Sequence, residues 1–163
     1  MLLKYITCIT TITLLIIQYN TVTTATPFPV KGNIYNAVNE LTALAHVYPR
    51  YVEISDLEGK KIGRVGIMVE EGIAKLFLVK QDKRHSLIGY SGPSDHPNKG
   101  TLYNVSDKIA GYYFWTPTWS FIFNNQNKRV GKVKCIAWPR VCAAGVGGYL
   151  LNFFNQNQAL QKK

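Results

Sequence analysis

The sequence predicts an α+β domain in which one N-terminal helix packs on an antiparallel sheet. Three observations lead there. Ile34, Ala37, Val38, Leu41, Leu44 and Ala45 recur at helical spacing and make one apolar face. From Tyr51 onward the apolar period falls to two, which is the period of a strand with one buried side. Residues 118–135 read as a hairpin, with two strand-like runs joined by the polar pentapeptide at 124–128.

Each element follows from local chemistry. Asn33 is placed to cap the helix, because its side chain can accept from an orphan backbone N–H. Pro49 ends it, since the residue before proline avoids the helical region. Strands are expected at residues 51–54, 62–69 and 73–79, with turns at 56–59 and 70–72; the third is apolar but for Lys75 and reads as central. After a charged connection at 80–85, a short strand is expected at 86–90. Residues 91–100, with two glycines and two prolines, read as a loop. Further short strands are expected at 102–105 and 112–115, separated by a loop at 106–111. In the hairpin, Trp119, Phe121 and Phe123 are expected to face the core. On the return strand Lys132 and Lys134 share one face, and Val133 points the other way. Residues 143–148 are small and read as flexible, 149–154 as a last strand or short helix, and 155–163 as a fraying tail.

The first 25 residues have the layout of a secretory signal peptide: a basic start, a mostly apolar run at 9–17, and a small-residue exit with cleavage after Ala25. The apolar run is too short and too rich in threonine for a bilayer span of ~20 residues. Residues 26–163 then form one secreted domain. Cleavage takes Lys4 with the leader and lowers the formal net charge of +10 by one. Such a balance favours polyanionic partners, namely nucleic acid, acidic glycans or anionic lipid heads. Cys135 and Cys142 remain and are expected to pair in an oxidising compartment. Asn104-Val105-Ser106 fits the N-glycosylation acceptor.

No metal-ligand spacing is present, because His46, His85 and His96 each lie alone, so neither metal nor cofactor is expected. Aromatic residues beside Lys and Arg are what single-stranded RNA binding needs, since rings stack on bases while cations neutralise phosphates. The candidate set is Lys128, Arg129, Lys132 and Lys134 of the return strand and its turn, with Tyr48, Arg50 and Tyr90 bordering loops.

Tyr48-Pro49-Arg50-Tyr51, Tyr90-Ser91-Gly92, and Phe121-Ile122-Phe123-Asn124 with Gly131 seven residues beyond the Asn resemble segments of small secreted fungal ribonucleases. The chain is more similar still to the ribonuclease-like effectors secreted by powdery mildew fungi. That resemblance implies the ribonuclease-like fold and a monomer acting inside or around a host cell. It also implies a lost active site. The family's catalytic histidine falls on Arg50, its general-acid histidine on Cys135, its phosphate-binding arginine near Ser120, and its general-base glutamate around Lys75 or Leu76. The function expected is therefore non-catalytic binding of host RNA or a host protein. Two alternatives stand beside it: an active secreted ribonuclease using His85 or His96, and a basic protein that binds glycans or membranes.

Overall fold

The computed structural model describes residues 28–70, 73–79, 85–92, 96–136 and 138–153. The leader at 1–25 and the tail at 155–163 lie outside the described residues.

Ten strands follow one another: β1 (Val30–Asn36), β2 (Leu41–Tyr48), β3 (Tyr51–Ser55), β4 (Lys61–Glu70), β5 (Ile73–Val79), β6 (His85–Gly92), β7 (Lys99–Asn104), β8 (Ile109–Trp115), β9 (Trp119–Asn124) and β10 (Arg129–Lys134). Each pairs antiparallel with the next, and β1 pairs with β10 through Ile34 and Val133, so the sheet closes into a barrel. Closure leaves no free sheet edge. The period of two sets the sides: Val30, Gly32 and Ile34 of β1 are buried, while Lys31 and Asn33 between them are exposed.

Among the described residues one helix, α1 (Pro139–Leu150), runs through the inside of the barrel and packs against strands all round it. A closed sheet of ten strands is wider than one that side chains fill by themselves, and α1 occupies the remaining space. Every residue from Cys142 to Gly148 is buried, as expected of a helix with core on all sides. Three glycines in its middle, Gly145, Gly147 and Gly148, lower its helix propensity. Small residues are nevertheless required, because a Cβ on Gly147 would lie 2.5 Å from Leu102 Cδ1 on β7. A disulfide between Cys135 and Cys142 ties the end of β10 to the first turn of α1, and both residues are buried.

Four hairpins at one end of the barrel share one turn chemistry. In the pentapeptides starting at Asn36, Asp56, Asn104 and Asn124, the first side chain accepts the backbone N–H of the fifth residue, at 2.9, 2.7, 3.1 and 2.9 Å. The fourth residue, Asn39, Gly59, Asp107 or Asn127, is left-handed, with φ of 68°, 85°, 59° and 63°. This is the three-residue hairpin loop, for which Asn, Asp and Gly are the suitable side chains. Asn104, the glycosylation candidate, is thus the first residue of a turn, and its Oδ1 also accepts from the Ser106 N–H.

The fold overturns the α+β expectation. The expected N-terminal helix is the β1–β2 hairpin. Its helical spacing came from joining residues on two different strands: Ile34 belongs to β1, Ala37 and Val38 to the turn, and Leu41, Leu44 and Ala45 to β2. The Asn36 turn, which reverses the chain there, has no counterpart in a pattern of apolar positions. The ribonuclease-like resemblance falls with it, because an N-terminal helix lying on an open sheet is a different architecture from a closed barrel around a C-terminal helix. Residues 143–148 are not a flexible link but the middle of that helix. The strands expected between 51 and 90, at 112–115 and in the hairpin are present.

The hairpin faces the other way round from expectation. Ser120 and Ile122 are fully buried, whereas Trp119, Phe121 and Phe123 are only half-buried on the barrel's outer surface. With α1 already inside, the wall of β9 has room for serine and isoleucine inward and none for three aromatic rings. Val133 does point into the core, and Lys132 and Lys134 do share the outer face.

Candidate ligand-binding face

On β7 to β10 and β1, the inward positions Gly100, Gly111, Ser120, Gly131 and Val133 are buried. The outward positions between them are mostly aromatic or basic, with Thr101 and Asn33 the polar exceptions. Strand pairing sets these outer residues in rows, because side chains directly opposite on neighbouring strands lie side by side. One row crosses five strands: Lys99 opposite Phe114, Phe114 opposite Phe121, Phe121 opposite Lys132, and Lys132 opposite Tyr35. A second row places Thr101, Tyr112, Phe123 and Arg129 in register. The result is a continuous aromatic surface with cations on both sides.

Lys132 is held in place by ring faces. Its Nζ lies 4.8 Å from the Trp119 ring centroid and 5.4 Å from that of Tyr35. An ammonium is attracted to the negative face of each ring, so the cation stands over an aromatic bed. Arg129 is anchored differently, donating from Nη2 to the Ala37 carbonyl at 2.9 Å and to Asn39 Oδ1 at 3.4 Å.

Over β7 to β9 the surface dips into an open groove of about 1040 Å³. Tyr103, Tyr112, Phe114 and Phe123 form its floor, His96 and Lys99 stand at one end, and Asn125 and Asn127 at the other. His96 meets Phe114 edge-on and accepts at Nδ1 from the Asn98 N–H. Tyr103 continues the floor towards β6, where Tyr90 stacks on it at 4.9 Å between ring centroids.

Tyr90 donates its hydroxyl proton to Asp107 Oδ1 at 2.6 Å. That hydrogen bond, with burial and the carboxylate's charge behind it, pushes the Tyr90 pKa up to about 12. A phenol whose folded pKa lies above its unfolded one stabilises the fold fully below the unfolded value near 10, and that contribution is lost as pH rises through the folded value. Asp107→Asn keeps a residue suited to the left-handed turn but removes the charged acceptor. In ultraviolet titration of this variant, one more tyrosine is expected to ionise near pH ~10 than in the parent chain. Identical titration curves would show that the bond does not hold the proton.

The predicted site residues divide. Lys132 and Lys134 stand on the aromatic face, and Lys128 and Arg129 at its turn end. Tyr90 adjoins it through Tyr103. Tyr48 and Arg50 belong elsewhere, at the β2–β3 hairpin, where Tyr48 stacks on Tyr51 at 4.2 Å and Arg64 lies over Tyr51. There Arg64 and Lys61 both pair with Glu53. Burial raises the Glu53 pKa, but the hydrogen bonds from those two cations outweigh it and hold the carboxyl below its usual range. Sequence reasoning missed Tyr35, Lys99, Tyr103, Phe114, Phe121 and Phe123 as surface groups. The signal that could have found them was the small residue beside a ring, as with Gly111 next to Tyr112 and Ser120 next to Phe121.

Among the described residues no group of three or more His, Cys, Asp or Glu side chains comes together to hold a metal, and no helix is long and apolar enough to cross a membrane. No family model matches the chain, and neither does any curated protein. Among solved structures, a candidate exported protein with a YmcC-like fold from Bacteroides fragilis aligns with 66% of this chain and 92% of its own, at 13% identity and a TM-score of 0.36.

Proposed function

We propose that the protein acts by binding rather than by catalysis, and that the outer face of β7–β10 and β1 takes single-stranded RNA. The observation that carries this reading is the row Lys99–Phe114–Phe121–Lys132–Tyr35, in which two adjacent rings lie between two cations and a third ring follows, in register across five strands. Unpaired bases stack on exposed rings of a sheet, and phosphates seek the flanking cations. The groove adds two amides, Asn125 and Asn127, whose donors and acceptors suit base edges. What the face offers is a platform and a charge, which position a strand without breaking it.

The test is binding of a labelled single-stranded oligoribonucleotide over a range of salt. Changing Lys132 and Lys134 together to Gln is expected to weaken binding and to lower the salt slope by about one unit for each phosphate no longer neutralised. Phe114→Ser is expected to weaken it by about 1–3 kcal/mol if a base stacks there. The oligonucleotide should be recovered intact. Unchanged affinity in both variants would sink the reading. A sulfated glycan bound more tightly than RNA would move the ligand to the acidic-glycan class, and cleaved RNA would restore the enzyme alternative.

A further inference from the structure

The opposite end of the barrel from the four shared turns carries a different surface. There the chain enters β1 and leaves β10 for α1. Phe28, just before β1, stacks on Trp138, just before α1, with ring centroids 4.8 Å apart and planes 18° from parallel. Phe28 is nevertheless 51% exposed, and Ile136, two residues before Trp138, is 65% exposed. Trp138 holds a left-handed backbone, φ 43°, a region that a bulky side chain adopts only when its surroundings impose it. The disulfide between Cys135 and Cys142 closes the short link bearing Ile136 and Trp138 and pins both its ends. Phe28 and Ile136 therefore stand exposed on a fixed base, because Trp138 is half-buried against the core with its ring stacked on Phe28.

Cations surround them. Lys31 on β1, Lys134 at the end of β10 and Arg140 in the first turn of α1 are all exposed. Neither residues 28–36 nor residues 129–153 contain a carboxylate. The hairpin turns flanking β1 and β10 at this end, at 49–50 and 116–118, add Arg50 and no acid. A stacked Phe–Trp pair and an isoleucine inside a basic collar match the boundary of a bilayer in both polarity and charge. Aromatic rings settle at the headgroup level, aliphatic tips reach the acyl boundary, and Lys and Arg meet anionic headgroups.

We infer that this end of the barrel, through Phe28, Ile136 and Trp138 within the collar of Lys31, Lys134 and Arg140, docks on the interface of an anionic phospholipid bilayer. The surface adjoins the proposed RNA face at Lys31 and Lys134, but Phe28, Ile136 and Trp138 belong to it alone, so the Phe28/Ile136 change tests it independently.

The experiment is flotation of the disulfide-bonded protein with vesicles of phosphatidylcholine alone or mixed with phosphatidylserine. Binding is expected to the mixed vesicles and to be much weaker to the neutral ones. Phe28→Ser with Ile136→Ser is expected to lower mixed-vesicle binding about tenfold or more, given the apolar area withdrawn. Lys31→Gln with Arg140→Gln is expected to lower it by a similar factor, because each surface cation contributes separately. Trp138→Tyr should reduce the quenching of protein fluorescence by brominated acyl chains, with Trp115 and Trp119 at the 116–118 turn supplying the remainder, while leaving flotation nearly intact. All four apolar and basic positions are exposed or at the rim, and an unchanged near-ultraviolet circular dichroism spectrum confirms that each variant is folded. Failure to float with mixed vesicles overturns the inference, and so does flotation that survives the Phe28/Ile136 change or is equal on neutral vesicles. RNA binding by the Phe28/Ile136 variant should match the parent chain, which keeps this outcome distinct from that of the other face.

Discussion

Tyr113→Ala is expected to lower the unfolding free energy by about 3–5 kcal/mol, the range for truncating a large buried aromatic. Tyr113 is 1% exposed and points inward from β8. Its ring covers Gly100 on the neighbouring strand, where an added Cβ would lie 2.1 Å from Tyr113 Cζ. Its hydroxyl lies 2.7 Å from Ser91 Oγ on β6, two strands away, and neither group reaches solvent. Removing the ring therefore opens a cavity that Gly100 cannot fill and leaves the Ser91 hydroxyl without its partner. Tyr113→Phe isolates the second effect and should cost about 1–3 kcal/mol, the penalty for a buried hydroxyl left unsatisfied. Adding Ser91→Ala to it should restore part of that loss, since both polar groups are then gone. Urea unfolding of the four proteins measures all of these effects. A Tyr113→Ala loss below about 1 kcal/mol would mean that the ring is not the core element its burial indicates.

Gly145→Val is expected to be of comparable size, about 3 kcal/mol, and to prevent folding if the parent chain is only marginally stable. A Cβ at Gly145 would lie 2.7 Å from Val52 Cγ2 and 2.9 Å from Val52 Cβ. Val52 is fully buried on β3, and a β-branched side chain has little χ1 freedom with which to yield. The helix cannot move away either, because it has barrel wall on every side. Val52→Ala in the same chain should recover part of the loss, as coupled neighbours do. Gly148 is the control. Its Cβ would meet nothing closer than Phe153 Cδ2 at 3.5 Å, an ordinary separation, so Gly148→Ala should be neutral or gain up to about 1 kcal/mol from helix propensity. Equal urea midpoints for Gly145→Val and Gly148→Ala would contradict the close packing of α1 against β3.

Much of this architecture is written in local chemistry. The strands from Tyr51 to Val79 and the hairpin from Trp119 to Lys134 follow from period-two patterning. The Cys135–Cys142 bond follows from two cysteines close in sequence. The basic ridge of Lys132 and Lys134, with Val133 inward, follows from strand alternation alone. The four Asx turns are equally local, since Asn36-Ala37-Val38-Asn39-Glu40 has the same chemistry as Asn124 to Lys128. Given that weight, they would have converted the expected N-terminal helix into a hairpin. Three things belonged to the tertiary structure. Alternation states that two faces differ, not which one is inside; Trp119, Phe121 and Phe123 went outward because the interior of β9 was already taken by α1. Residues 142–148 have poor helix propensity, and only a barrel wall on all sides makes their small size an advantage. Closure itself rests on β1 meeting β10 across the whole length of the domain. No local pattern encodes that pairing, because its free energy comes from packing that exists only once the other eight strands are in place.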